Sequence, residues 1–175
     1  MSSGQAFYTV VLIIAVFYAV VIVTEGNSAS PEEDQNYVAH LSGDQEVPPN
    51  NSTSKGWAFF KPMEDKVEYQ VNVSGIDKVT MAHIHGGKAR ENGDPIAMVQ
   101  TKLSGSTSGT LALGNITASD LMGLLEGKSI SDLVSEMKSG KTYVNIQTEA
   151  HPGGEIRGQI KMANTTMFNT TTPAK

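Results

Sequence analysis

The sequence predicts an all-β chain folded as an antiparallel sandwich, and three observations carry that expectation. Short apolar-patterned segments recur between clusters of Gly, Pro, Asn, Asp and Ser. Val67, Tyr69, Val71 and Val73 alternate with Glu68, Gln70 and Asn72, the period of two that buries one face of a strand. Helical periodicity is confined to one stretch, 117–140, too little to build a helical core.

The first residues stand apart. Ala6 to Val23 carries no charge, and as a helix it spans roughly 27 Å, enough to cross a hydrocarbon core. Residues 1–24 therefore read as an apolar helix, either a transmembrane anchor or a secretory signal peptide. The absence of Lys or Arg before Lys55 and the long apolar run favour the anchor. Residues 25–36 are polar and acidic and read as a tether; 37–162 form the globular body. The Thr/Asn-rich tail, 163–175, has too little apolar surface to fold alone.

Within the body, Tyr37–Leu41 is the first strand and Val47-Pro48-Pro49-Asn50-Asn51 a loop, since prolines cannot donate to a ladder. Lys55–Lys61 and Lys66–Ser74 form a hairpin around Pro62-Met63-Glu64-Asp65. Trp57 and Phe59 share a face and are expected to fill the core. Val79–His85 is the next strand, followed by a Gly-rich turn, then strands Pro95–Lys102 and Gly109–Leu113. Thr117 caps a helix carrying Leu121, Met122, Leu124 and Leu125, ended by Gly127. A second helix places Ile130, Leu133, Val134 and Met137 on one stripe before Gly140. Strands Thr142–Thr148 and Glu155–Met162 complete the body.

Six Asn-x-Ser/Thr sequons, at Asn50, Asn51, Asn72, Asn115, Asn164 and Asn169, agree with an extracytoplasmic address and are glycosylation candidates. The chain has no cysteine, so its core must hold without disulfides. A net charge of −5 with scattered cations excludes a nucleic-acid partner.

The residues with the most chemistry are His83 and His85, two of four histidines, on one face of a strand with Ala82 and Ile84 on the other. His151 is the natural third member of a copper or zinc site. The competing reading has the pair hydrogen-bonding loop backbone and closing the end of the sandwich. Glu155 and Arg157, two apart on a strand, are expected to form a structural pair there. No nucleophile elbow, catalytic triad order or phosphate loop is present, which points away from an enzyme.

Three blocks resemble the CHRD (chordin) domain family. They are Leu41-Ser42-Gly43-Asp44-Gln45-Glu46-Val47-Pro48-Pro49, Ala82-His83-Ile84-His85-Gly86, and Tyr143-Val144-Asn145-Ile146 with Pro152-Gly153-Gly154-Glu155-Ile156-Arg157-Gly158. The resemblance implies an immunoglobulin-like Greek-key sandwich similar in outline to Cu/Zn superoxide dismutase, and the two short helices read from the residues fall in one crossover. It implies no established enzymatic activity. Many family members have a histidine where this chain has Gln147. The expectation is an exported, non-catalytic binding module, membrane-tethered or secreted, for a cell-surface protein or envelope component. A copper- or zinc-binding protein and a subunit of an extracellular filament are the alternatives.

Overall fold

The computed structural model describes residues 35–101 and 106–163. The expected anchor, most of the tether and the tail after Ala163 lie outside the described residues. No helix among the described residues is long and apolar enough to cross a membrane.

Among the described residues the body has nine strands and one α-helix: β1 (Tyr37–Ser42), β2 (Lys55–Pro62), β3 (Lys66–Asp77), β4 (Val79–Gly86), β5 (Pro95–Thr101), β6 (Ser106–Thr117), α1 (Ile130–Lys138), β7 (Thr142–Thr148), β8 (Ile156–Gln159) and β9 (Lys161–Met162). Spatial order is β5-β4-β7-β8-β1-β2-β3-β6, with β9 beside β1, and every pairing is antiparallel. β8 and β1 meet through the single register pair Ser42↔Arg157. That seam divides the order into two layers, β5-β4-β7-β8 and β1-β2-β3-β6. The chain crosses between layers after β3 and returns after β5, a Greek-key path. A bridge between Ala97 and Leu121 draws the far edges together, so the sandwich is nearly a closed barrel.

Inward residues of both layers merge into one core that includes Leu41, Ala58, Phe60, Val71, Ile84, Val144, Ile146 and Ile156. The Tyr69 hydroxyl donates to the Val99 carbonyl, satisfying the polar tip of a buried ring.

The structure departs from the sequence pattern at β2 and after Thr117. Trp57 is 44% exposed, whereas Ala58 and Phe60 are 0% and 1% exposed. Both faces of this strand carry aromatic residues, and the register with β1 and β3 decides the phase. Trp57 lies opposite His40 on the outer face, ring centres 4.5 Å apart, and Phe59 is half-buried. The core's aromatic residues are Tyr37, Phe60 and Tyr69 instead.

The helix expected after Thr117 is two 3-10 turns, Ala118–Asp120 and Gly123–Leu125. Thr117 does form its capping box with Asp120. The helix stops because Leu121 is taken by the bridge to Ala97, and the Met122 amide donates to the Ile96 carbonyl at 2.9 Å. Gly123 then adopts φ +56°, where a Cβ would sit 2.7 Å from the Pro95 carbonyl oxygen. Leu124 is left 82% exposed. The second helix is α1, capped by Ser129 with Asp132, burying Ile130, Leu133 and Met137.

The register of β2 gives a direct test. Phe60→Ala is expected to destabilise by about 3–5 kcal/mol, through lost burial and the cavity left behind. Trp57→Ala is expected to cost less than about 1.5 kcal/mol. Urea unfolding of both variants measures the order, and the reverse order would contradict this register.

Candidate functional site

Alternation sends Ala82 and Ile84 of β4 into the core and His83 and His85 to the opposite face. That face is not open to solvent. The loops 43–54 and 87–94 lie across it, leaving His83 6%, His85 8%, Glu46 6%, Asn145 4% and Arg157 2% exposed. Cross-strand register aligns His83, Asn145 and Arg157 in one row over β4, β7 and β8, and His85, Tyr143 and Gln159 in the next.

Arg157 holds the 87–94 loop. Its guanidinium donates to the Glu91 carbonyl at 2.6 Å, the Lys88 carbonyl at 3.2 Å and Asn92 Oδ1 at 3.0 Å. It also lies 3.4 Å from the centre of the Tyr143 ring, a cation–π contact in a desolvated setting. His85 stacks on that ring, centres 5.1 Å apart and planes 18° from parallel. Asn92 continues the chain of contacts, since its Nδ2 donates to the Val47 carbonyl of the other loop at 2.8 Å. Gly93 packs so closely that a Cβ would meet the Gly86 carbonyl oxygen at 1.7 Å, so only glycine fits.

Glu155 anchors the 43–54 loop. Its carboxylate accepts from Ser52 Oγ at 2.9 Å, Ser54 Oγ at 2.8 Å and Thr148 Oγ1 at 2.6 Å. Burial pushes its pKa up, but the bonds from Thr148, Ser54 and Ser52, with His151 nearby, hold it below the usual carboxylate value. Asn50 adds bonds from its Nδ2 to the Gly154 and Glu155 carbonyls, both at 3.1 Å. Among the described residues no ion pair joins Glu155 to Arg157. The pair expected from their spacing is replaced by two separate anchors, one for each loop.

Between the anchors sits Glu46, whose carboxylate accepts from Asn145 Nδ2 at 3.1 and 3.2 Å. Burial is the main influence on it and raises its pKa to about 7, against the pull of Arg157 and the Asn145 bond.

The ring chemistry of His85 follows from its partner. Nδ1 lies 2.8 Å from the Gly93 carbonyl oxygen, which can only accept, so Nδ1 carries the proton. Nε2 is then a bare lone pair, and it is buried without a partner, as are His83 Nδ1 and Asn145 Oδ1. Each such atom costs about 1–3 kcal/mol of unmet hydrogen bonding. Burial lowers the pKa of both histidines. Arg157 acts in the same direction on His85, against the Gly93 bond and Asp94.

His151 sits elsewhere. Its amide donates to Thr148 Oγ1, just past the end of β7 that pairs with Val79. His83 faces Asn145 three residues back along that strand, roughly 10 Å away. No three His, Asp or Glu side chains among the described residues converge as metal ligands, so the expected three-histidine set does not assemble. His40 lies on the outer face of the other layer, beside Trp57. Of the sequons, Asn51 and Asn115 are exposed, Asn72 is half-buried, and Asn164 and Asn169 lie outside the described residues. Sequence reasoning missed Glu46, Asn92, Tyr143 and Asn145 as site residues. Alternation places Tyr143 and Asn145 on one face of their strand, yet does not say that β4 lies beside it.

The fold and this buried polar layer define an antiparallel sandwich domain whose end loops are tied down over one face. The CHRD domain model matches residues 37–160, and the chain belongs to that family. It is similar to Chordin of Xenopus laevis, 29% identical over 130 residues, and to Chordin of Danio rerio, 26% identical over 130 residues. Each match covers 71% of this chain and 13% of the relative, so the chain spans a small fraction of the Chordins' length. No solved structure gives a significant match.

Glu46 yields a pH prediction. A carboxyl whose folded pKa is raised contributes stability that is complete below its unfolded value near 4.5 and is lost as pH rises through about 7. The loss at alkaline pH is on the order of 3 kcal/mol. Glu46→Gln removes it, so thermal melts should show the variant gaining on the wild type between pH 5 and pH 8. Curves that run parallel over that range would mean Glu46 does not titrate there.

Proposed function

We propose that the chain is an exported, non-catalytic binding module of the cell surface that meets its partner through the outer face of the β1-β2-β3-β6 layer. That face is the observation that carries the reading. Register lines up Val38, Phe59, Gln70 and Leu113 in one row and His40, Trp57, Asn72 and Thr110 in the next. Leu113 is 75% exposed and Trp57 44%. A shallow groove of about 650 Å³ runs beside them, with Phe59, Leu113, Lys61, Glu68 and Asn115 in its lining. Clustered aromatic and aliphatic side chains with a polar rim are the usual make-up of a protein-binding face.

Other features support the same reading. Membership of the CHRD family and similarity to the Chordins favour an extracellular binding role. The polar layer on the opposite side is closed over by the loops 43–54 and 87–94, which leaves the outer face of the β1-β2-β3-β6 layer as the more accessible surface for a partner. The apolar segment 6–23 supplies export, as an uncleaved single-pass anchor or as a signal removed from a secreted form. The partner is then a cell-surface protein or envelope component.

Labelled full-length protein applied to intact cells of the encoding species tests the reading. Surface binding should fall at least tenfold for Leu113→Glu or Trp57→Ala. Binding unchanged in both variants, or robust turnover in a hydrolase and redox screen, would overturn it.

Export also predicts which sequons carry glycans. Asn50 Nδ2, the atom that would be glycosylated, already donates two hydrogen bonds to the loop before β8, whereas Asn51 and Asn115 are exposed. Glycopeptide mass spectrometry of the native protein should find Asn51 occupied and Asn50 bare, with Asn115 bare because it lines the partner face. A glycan on Asn50 would contradict the packing of the 43–54 loop.

A further inference from the structure

We propose that His83 Nδ1, His85 Nε2 and Asn145 Oδ1 form a buried binding site for a single divalent first-row transition ion that prefers imidazole, copper above zinc. The proposal stands apart from the binding face described above and does not depend on it.

All three atoms are buried without a hydrogen-bond partner, on one face of β4 and β7, and His83 and Asn145 are a register pair. Their residues are more than nine-tenths buried. Asn145 Nδ2 faces the Glu46 carboxylate, so Oδ1 is the end turned away, an acceptor with no donor. His85 Nδ1 donates to the Gly93 carbonyl oxygen, so Nε2 is likewise an acceptor with no donor. A backbone carbonyl on the distal ring nitrogen is the arrangement that fixes a metal-binding imidazole in its tautomer.

Arg157, whose charge acts on His85, does not supply the missing partner. The Arg157 guanidinium is committed to Lys88, Glu91, Asn92 and the Tyr143 ring. Complete burial of the three atoms also excludes an organic ligand of any size. The occupant is therefore a single ion or a single water.

Ring geometry favours the ion. With a metal–nitrogen bond near 2 Å, two imidazoles sharing one ion have ring centres roughly 5 to 6.5 Å apart. The His83 and His85 centres are 5.9 Å apart and the planes are nearly perpendicular, at 82°. Two imidazole nitrogens and an amide oxygen suit copper or zinc, and do not suit calcium or magnesium, which require oxygen sets. Copper is placed above zinc because divalent copper heads the affinity order for such donors.

The test uses chelator-treated full-length protein titrated with Cu²⁺ and, separately, Zn²⁺ against a competing chelator, with electron paramagnetic resonance on the copper form. The expected result is one Cu²⁺ per chain, a spectrum with nitrogen coupling from two imidazoles, and weaker Zn²⁺ binding. His83→Gln and His85→Gln should each weaken binding at least 100-fold, while His40→Ala with His151→Ala leaves it unchanged. Circular dichroism separates loss of binding from loss of fold, and Asn145→Asp, which keeps a metal-binding oxygen, should retain binding. No binding tighter than micromolar, or binding abolished only by the His40 and His151 substitutions, would overturn the proposal and leave the three atoms to a water molecule.

Discussion

A guanidinium buried to 2% exposure is the constraint on which the architecture of this end of the sandwich depends. Removing Arg157 from water is expensive, and among the described residues that cost is offset without an ion pair, through two carbonyls, an amide oxygen and an aromatic face. Three of those groups, Lys88 and Glu91 through their carbonyls and Asn92 through its side chain, belong to the 87–94 loop. The loop must therefore stay folded over β4, β7 and β8 as long as the charge stays buried. Glu155 performs the mirrored task for the 43–54 loop through two of that loop's hydroxyls, Ser52 and Ser54, while Thr148 of β7 steadies its carboxylate. Asn92 joins the two loops by touching both Arg157 and Val47.

Closing both loops turns what would be the wet face of an antiparallel layer into an interior. β7 consequently reads as buried at nearly every position, a pattern common in parallel sheets and unusual for half of a sandwich. The polar side chains of that face, His83, His85, Asn145 and Glu46, are trapped with it. Some find partners within the layer and some do not. The carboxyl of Glu46 responds by holding its proton to about pH 7, and the imidazoles by resisting theirs. Gly93 and Gly154 make the closure sterically possible. A Cβ on Gly154 would meet Asn145 Nδ2 at 2.3 Å and Glu46 Oε1 at 2.6 Å.

Much of this was legible in the residues, and the remainder has identifiable causes. The alternation of Val67 to Val73 and the apolar stripe of α1 are local patterns, and both are present in the structure. The phase of β2 is hidden in its sequence because Trp57 and Phe59 on one face and Ala58 and Phe60 on the other are both apolar. Only the neighbouring strands decide between such phases. The Leu121 to Leu125 periodicity lost to a tertiary bridge that no local pattern announces. At the site, alternation placed His83 and His85 on one face. Their companions come from β7, far along the chain, and from loops whose closure depends on Arg157. His151 seemed available because it follows β7 closely, but it follows the end of that strand remote from His85.

The central claim is that the loop held by Arg157 fixes His85 with its proton on Nδ1 and a bare lone pair on Nε2. Nitrogen-15 NMR of the histidine rings in metal-free protein at neutral pH reads this directly. The account predicts a neutral His85 with protonated Nδ1 and unprotonated Nε2, and loss of that single tautomer in Arg157→Met. A wild-type His85 protonated on Nε2, or averaged between both tautomers, would contradict it.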